Sequence, residues 1–299
     1  MKATPSEFKT SDGTKIHFER WIPDGAPTFV VMILHGGAEH VSRYEELAAR
    51  FVSKGALVFG PDHRGQGRSG GAKGHVESFT QYAHDVHELA REIARMHPEA
   101  APDKVPWFLF GHSMGGLISL TYLLEHAPRG GKEIPLRGAM ISAPLLGLVM
   151  KVNPVKRGVA KLLDKAAPKM AVPAGIPPEY ISRDADEVRK YVQDDRRVGV
   201  VSARWASAME AAMERVHQEV HRLELPMLWY VGTGDKICDH RATLETFGHL
   251  HAPEAHDQSL EVFDGYYHEL HNEPPELRAP ILKMLEGWVD DRREATRAD

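Results

Sequence analysis

The chain has 299 residues, of which 42% are hydrophobic and 26% are charged, which is the composition of an ordinary globular protein. A formal net charge of -5 gives no reason to expect a nucleic acid as partner, because nucleic-acid binding needs a basic surface. The single cysteine, Cys238, excludes an intrachain disulfide and suits a reducing compartment. Neither a secretory signal nor an apolar run of the roughly 18–20 residues that cross a membrane is evident, so we expect a cytoplasmic protein.

Strand and helix patterns alternate along the chain. Two alternating runs flank Asp12-Gly13 between residues 6 and 22 and predict an antiparallel hairpin. Short apolar runs then follow that are typical of strands buried on both faces of a parallel sheet: Phe29–Leu34, Ala56–Phe59, Trp107–Phe110, Gly138–Ile141, Met227–Val231 and Leu260–Phe263. Between them the helical period predicts helices over Tyr44–Ser53, Phe79–Met96, Met114–His126, His240–Leu250 and Leu277–Arg293.

This alternation predicts an α/β fold, a doubly wound and mostly parallel sheet with the hairpin at one edge. Residues 146–223 interrupt it, because they carry helical patterns and prolines but no convincing strand. We interpret 146–223 as a helical cap inserted into a core formed by residues 1–145 and 224–299, and not as an independent domain.

The pattern Gly-x-Ser-x-Gly occurs twice, around Ser69 and around Ser113. In esterases the nucleophilic serine lies at a sharp strand-to-helix turn, and the flanking glycines keep side chains out of the bend. Ser113 directly follows the predicted strand Trp107–Phe110 and opens the predicted helix Met114–His126. Ser69 lies among glycines with no helix nearby. We therefore predict Ser113 as a nucleophile and Ser69 as a loop residue.

Two other patterns point to sites that we do not expect. Residues 65–70 match Gly-x-Gly-x-x-Gly, but a dinucleotide site needs a helix that opens on the last glycine, and here Gly71-Ala-Lys-Gly74 follows. His217 and His221 have a spacing that can bind zinc, but no third ligand is evident. We interpret the first as a tight loop and the second as an ordinary surface helix.

A serine nucleophile needs a base and an orienting carboxylate. In this fold class the serine comes first along the chain, an aspartate or glutamate second and the histidine last, each at the end of a strand. Asp235 lies closer to its strand end than its rival Asp239, which we expect to cap the helix beginning at His240. His268 comes first after the last strand, with His271 as its rival. Asp235 and His268 are the predicted pair.

The oxyanion of the reaction needs two backbone N–H donors. The residue after the nucleophile, Met114, supplies the first. The loop His35-Gly-Gly-Ala38 follows a predicted strand directly and can supply the second, since its small residues let the backbone approach the substrate closely.

Five stretches together resemble the monoacylglycerol lipases within the lysophospholipase-like α/β-hydrolases, in order and over nearly the whole chain. They are His35-Gly-Gly-Ala-Glu-His40 with Arg43-Tyr44, Asp62-His-Arg-Gly-Gln-Gly-Arg-Ser69, Gly111-His-Ser-Met-Gly-Gly116, Asp235-Lys-Ile-Cys-Asp239 and Tyr267-His-Glu-Leu-His271. The resemblance implies a triad of Ser113, Asp235 and His268 with oxyanion donors at Gly37 and Met114. It also implies a polar pocket for glycerol hydroxyls, with the positions Glu39, Arg43, His271, Glu187 and Tyr191.

The resemblance further suggests that the cap contacts membranes. Six basic residues flank an apolar face in this part of the chain: Lys151, Lys156, Arg157, Lys161, Lys165 and Lys169 around Val155, Val159, Leu162 and Leu163. A basic amphipathic helix can rest on an anionic lipid surface, and a cap helix with a solvated lysine face has the same pattern. Both interpretations stay open.

We therefore expect a serine esterase that cleaves lipid esters, foremost monoacylglycerol to glycerol and fatty acid, through an acyl-enzyme on Ser113 and without a cofactor or metal. The alternatives are a generic carboxylesterase or lysophospholipase and, in another class, a non-catalytic binding protein on the same scaffold. A nucleotide-dependent oxidoreductase would depend on residues 65–70 alone.

Overall fold

The computed structural model describes residues 3–127, 133–149, 158 and 162–294. Its strands are β1 (Thr4–Lys9), β2 (Lys15–Trp21), β3 (Phe29–Leu34), β4 (Ala56–Pro61), β5 (Trp107–His112), β6 (Leu136–Ser142), β7 (Ala171–Pro173), β8 (Val200–Ser202), β9 (Met227–Gly232) and β10 (Gln258–Phe263). Its helices are α1 (Glu45–Ser53), α2 (Phe79–Met96), α3 (Met114–His126), α4 (Ala185–Gln193), α5 (Ala203–Glu219), α6 (His240–Phe247) and α7 (Pro275–Glu294).

Eight strands form one sheet in the order β1-β2-β4-β3-β5-β6-β9-β10. The strands from β4 to β10 in this order run parallel, and β2 pairs antiparallel with both β1 and β4. The predicted fold class is confirmed, including the hairpin at one edge. The prediction that every run is buried on both faces is wrong for β10, because this strand lies at the other edge and exposes 47% of Val262.

Helices cover both faces of the sheet. Helices α1 and α7 pack with one set of strand side chains, and α2, α3 and α5 pack with the other. The central strands β3, β4 and β5 are buried along their whole length, which explains why their sequences are apolar runs without alternation. The carboxyl ends of β3, β4, β5, β9 and β10 therefore meet at one edge, where loops can converge.

The segment between β6 and β9 contains α4, α5 and a small antiparallel pair of β7 with β8. The prediction that this segment has no strand is wrong: three-residue strands are too short to show an alternating pattern. Helix α5 has one apolar face, since Trp205, Met209, Ala212 and Val216 are buried in the core. Residues 150–157 and 159–161, which carry most of the basic helical pattern, lie outside the described residues.

Among the helices that the structure describes, none combines the length and the apolar character that a membrane crossing requires.

Candidate active site

Ser113 lies in the turn between β5 and α3 with a φ of 55°, a conformation that costs energy for a non-glycine residue and is typical of functional sites. Glycines on both sides are needed sterically. A Cβ at Gly111 would lie 2.1 Å from the Ser119 hydroxyl, and one at Gly115 would lie 2.0 Å from the carbonyl oxygen of Leu34. The motif thus lets β5, α3 and the end of β3 approach one another closely.

Ser69, the serine of the second Gly-x-Ser-x-Gly match, has a different environment. Its hydroxyl donates to the Asp62 carbonyl oxygen at 2.5 Å and accepts from the His17 N–H at 2.9 Å. Residues 65–70 form a loop with positive φ at Gly65 and Gly67, and no helix opens on this loop. These hydrogen bonds tie the loop to β2 and to the residue that follows β4, so Ser69 has a structural role.

Asp235 and His268 follow β9 and β10 and lie in contact. The Asp235 Oδ2 atom accepts from His268 Nδ1 at 2.7 Å, and Oδ1 accepts the N–H groups of Ile237 and Cys238. Burial alone would lower the pKa of His268, but the Asp235 carboxylate outweighs it and raises that pKa above 6.5. The two alternative residues do not form this pair. Asp239 instead caps α6 by accepting the Arg241 N–H, and His271 lies in the polar cluster described below.

The Ser113 hydroxyl points to the sulfur of Cys238, 3.9 Å away. Within the described residues it makes no hydrogen bond to His268, which is common before substrate binds because such bonds tighten in the substrate complex. Asp235, Cys238 and His268 also have ligand atoms within 4.8 Å of one another. Burial and the Asp235 charge raise the pKa of the Cys238 thiol well above 9, so it is a poor metal ligand, since metals bind the thiolate.

The two predicted oxyanion donors are neighbours. A Cβ at Gly37 would lie 3.9 Å from Met114 Cβ and Sδ, and one at Gly36 would lie 3.3 Å from Ser113 Cβ. In the described part of the chain, the N–H groups of Gly37 and Met114 donate to no acceptor. Ala38 completes the loop with a φ of 56°. Oxyanion binding requires unpaired N–H groups close to the nucleophile, so these two N–H groups remain candidates for it.

Glu39 and Arg43 form a buried ionic cluster with Glu269. Arg43 Nη1 donates to Glu39 Oε2 and Glu269 Oε1, both at 2.7 Å, and Nη2 donates to Glu269 Oε2 at 2.8 Å. Burial raises the pKa of both carboxyls, but the two-point contact with Arg43 outweighs it and lowers the pKa of Glu269 to about 2. Glu39, with a single Arg43 contact, keeps a raised pKa.

His271 lies beside this cluster, stacked on Tyr44 at 5.1 Å between ring centroids. Burial lowers the pKa of His271 to about 4, so the imidazole is neutral at pH 7. Its Nδ1 atom is buried without a partner among the described residues. The ring of His112 contacts both His268 (4.6 Å) and His271 (5.0 Å). A neutral imidazole with an unpaired nitrogen therefore lies close to His268.

Tyr191 and Glu187, both on α4, have different surroundings. Tyr191 is buried between the guanidinium groups of Arg43 (5.0 Å) and Arg197 (3.5 Å). Glu187 pairs with Lys190 at 2.6 Å and lines an outer cleft of about 910 Å³ to which Ser113 does not contribute. The structure thus brings Tyr191 to the buried cluster and leaves Glu187 on its outer side.

Glu269, His112 and Asn272 belong to this site but were not predicted from the sequence. Asn272 donates to Glu269 at 2.8 Å. The one sequence signal was that Glu269 directly follows His268. The sequence alone does not assign a role to a charged residue at that position. Its role depends on the contact with Arg43, which is 226 positions away along the chain.

Residues 25–275 match the sequence model of a family described as serine aminopeptidase S33. A monoacylglycerol lipase of Mycolicibacterium smegmatis is 32% identical over 97% of this chain and 98% of that protein. An uncharacterized abhydrolase domain-containing protein of Dictyostelium discoideum is 29% identical over 98% of this chain, which spans 30% of that protein's length. The crystal structure of a Paleococcus ferrophilus monoacylglycerol lipase matches with a TM-score of 0.77 and 26% identity over 98% of this chain and 100% of that chain. The chain therefore belongs to the serine aminopeptidase S33 family, is similar to monoacylglycerol lipases, and is a serine ester hydrolase with the α/β-hydrolase fold.

Proposed function

We propose that the protein hydrolyses monoacylglycerols to glycerol and fatty acid through an acyl-enzyme on Ser113. The observation that carries this proposal is the position of the buried polar cluster. The His112 ring contacts the rings of both His268, the proposed base, and His271, whose Nδ1 atom is buried without a partner among the described residues. His271 in turn stacks on Tyr44, whose hydroxyl donates to Glu39. A buried polar cluster next to the proposed general acid suits a leaving group that carries hydroxyls, because the His268 proton must reach that group.

In the proposed mechanism, Ser113 attacks the ester carbonyl while His268 takes the hydroxyl proton. Asp235 holds the Nδ1–H tautomer of His268 and stabilises the imidazolium that forms. The N–H groups of Gly37 and Met114 stabilise the oxyanion. His268 then protonates the leaving glycerol, and a water molecule repeats these steps on the acyl-enzyme. These steps need no metal and no organic cofactor.

We assign the glycerol hydroxyls to Glu39, Arg43 and His271. His271 supports this assignment best, because a buried nitrogen without a partner costs free energy unless a ligand satisfies it. Tyr191 contacts Arg43 and is proposed to hold it in place for the glycerol hydroxyls. For Glu187, which lines the outer cleft with Arg43, we propose a contact with substrate only as it enters or leaves.

Labelling with a fluorophosphonate probe tests the nucleophile. Ser113→Ala should lose labelling and lower kcat by on the order of 10⁶-fold without unfolding, since among the described residues the hydroxyl makes only the 3.9 Å contact to Cys238. Ser69→Ala is the matched control in the second Gly-x-Ser-x-Gly sequence and should keep the label. Labelling of the Ser113→Ala variant would contradict the assignment.

A substrate panel tests the lipid specificity. Long-chain monoacylglycerol, diacylglycerol, lysophospholipid and a short p-nitrophenyl ester are compared at matched concentration. We expect monoacylglycerol to be preferred, and His271→Ala to lower kcat/KM for monoacylglycerol about tenfold, the value of one good hydrogen bond. The same variant should leave the p-nitrophenyl ester nearly unaffected. Activity on the short ester alone would support the serine hydrolase assignment but contradict the lipase assignment, and the protein would then be a carboxylesterase.

We also propose that residues 146–223 act as a cap that contacts lipid surfaces. Nine large apolar side chains are exposed among the described residues, and six of them belong to this segment: Leu148, Val149, Leu162, Met170, Val172 and Val192. Concentrated apolar exposure favours a binding surface. Leu162→Asp should weaken binding to anionic vesicles, whereas Val262→Asp, at an exposed position of the edge strand β10 outside this segment, should not. No vesicle binding by the wild-type protein at low salt would refute the proposal.

A further inference from the structure

A pair of buried histidines lies at the loop that carries the Gly37 N–H, one in this loop and one in the loop after β4. His35 follows β3 and His63 follows β4, and their rings lie 4.3 Å apart. Both side chains are buried, with 0% and 2% of each residue exposed. Neither imidazole has a role in the proposed acyl transfer, so the burial of both rings at the loop that carries Gly37 needs another explanation.

The hydrogen bonds of His35 determine its tautomer. Its Nδ1 atom lies 2.7 Å from the Gly36 carbonyl oxygen, which can only accept, so Nδ1 carries the proton. Its Nε2 atom lies 3.0 Å from the backbone N–H of His63, which can only donate, so Nε2 carries the lone pair. His63 Nε2 in turn donates to the His35 carbonyl oxygen at 3.2 Å. Burial lowers the pKa of His35 to about 4, in agreement with a neutral ring.

Peptide geometry links this bond to the active site. The Gly36 carbonyl and the Gly37 N–H belong to one planar trans peptide unit and point in opposite directions. A donor that holds the carbonyl on one side therefore directs the N–H to the other side. The preceding peptide is held as well, because Glu39 Oε1 accepts the Gly36 N–H at 2.5 Å and the Tyr44 hydroxyl at 2.8 Å.

We propose that His35 is a positioning residue for the oxyanion site: its Nδ1–H bond to the Gly36 carbonyl directs the Gly37 N–H toward the substrate oxygen. His63 acts through His35, since its backbone N–H selects the tautomer in which Nδ1 is the donor. This inference rests on the proposed function, because it assumes that Gly37 binds the oxyanion.

Three variants of His35 test the contributions of its two ring nitrogens separately. Asn places its amide N–H close to the position of Nδ1, Gln places its amide close to the position of Nε2, and Ala removes both. We expect His35→Ala and His35→Gln to lower kcat by on the order of 10²-fold, as for the loss of one oxyanion donor, with KM changed less than about threefold. His35→Asn should recover at least tenfold of the loss. His97→Gln, a buried histidine that contacts Arg20 and Glu99, is the matched control and should keep wild-type kcat.

A transition-state analogue gives a readout that a purely structural role would not change. An acyl trifluoromethyl ketone adds the Ser113 oxygen to its carbonyl carbon, the hydroxyl proton passes to His268, and the carbonyl oxygen becomes the oxyanion. Its inhibition constant should rise with the loss of kcat across the three variants, while the Tm of each active variant is recorded. Wild-type kcat or inhibition in His35→Gln, or no recovery in His35→Asn, would overturn the inference.

The tautomer of His35 can be measured in the wild-type protein, so this test does not depend on whether a variant folds. A ¹⁵N spectrum of labelled histidines in the wild-type protein should show His35 as a neutral Nδ1–H imidazole between pH 6 and 8, with assignment by comparison to His35→Asn. An Nε2–H tautomer would overturn the proposal. Wild-type protein that is not labelled by a fluorophosphonate would instead refute the proposed function, whereas a labelled, active protein with an unaffected His35→Gln variant refutes this inference alone.

Discussion

Gly115→Ala should separate the two oxyanion donors. A methyl group at this position would lie 2.0 Å from the carbonyl oxygen of Leu34 and 2.5 Å from that of His35, and ordinary contacts begin at 3.4 Å. The start of α3 and the end of β3 would therefore have to move apart by about 1.4 Å, the difference between the shorter distance and an ordinary contact. Both neighbours are backbone atoms, which cannot rotate away as a flexible side chain would.

The magnitude follows from this geometry. Overpacking a core typically costs about 1–3 kcal/mol, and because the clash is with backbone we expect the upper end, about 3 kcal/mol of unfolding free energy. A misplacement of roughly 1 Å in a catalytic arrangement can cost on the order of 10²-fold in rate. The Met114 N–H moves with α3 and the Gly37 N–H with the loop after β3, so kcat/KM should fall by that factor.

Gly37→Ala is the matched control for stability. A Cβ there would find its nearest atoms at 3.9 Å, on Met114, and Gly37 is not among the glycines with positive φ. Its unfolding free energy should stay within about 1 kcal/mol of the wild type. Urea unfolding followed by circular dichroism, with p-nitrophenyl ester hydrolysis at the same protein concentration, measures both effects. A Gly115→Ala protein as stable and as active as the wild type would refute the steric reasoning.

Two further predictions concern charged groups in the site. The acid limb of kcat/KM should have its midpoint above pH 6.5, because the base must be neutral and Asp235 raises the pKa of His268; a midpoint well below 6.5 in a pH–rate profile would contradict this. Glu269→Gln should lower the unfolding free energy by about 1–3 kcal/mol, less than for a fully broken buried pair, because Arg43 keeps Glu39. The folded pKa of Glu269 is about 2, below its ordinary value, so its stabilisation is present above pH 4.5 and is lost as the pH falls toward 2. The difference between wild type and variant in urea unfolding should shrink over that range, and a pH-independent difference would count against the ion pair as its cause.

The fold could be predicted from the sequence because its signals are local. Strands β3, β4 and β5 are buried on both faces, so burial alone requires continuous apolar runs, and α2 and α3 begin and end where their patterns do. The serine turn is local for the same reason: Gly111 and Gly115 are needed within two residues of Ser113 to allow one sharp bend. Both predicted strand-end partners follow from the rule that parallel strands bring their carboxyl ends to one edge.

Tertiary structure decided what depends on contacts between distant residues. The sequence could not show that Glu269 pairs with Arg43, that His112 contacts both His268 and His271, or that the His63 N–H donates to His35. Short elements such as β7 and β8 escaped detection because three residues carry no period. Local periodicity predicts which side chains of a segment are buried and which are exposed. The pairing of buried polar groups depends instead on which segments the fold brings together. For this protein, the sequence by itself therefore determined the framework and the predicted nucleophile, and packing decided the charges and the directions of the hydrogen bonds around them.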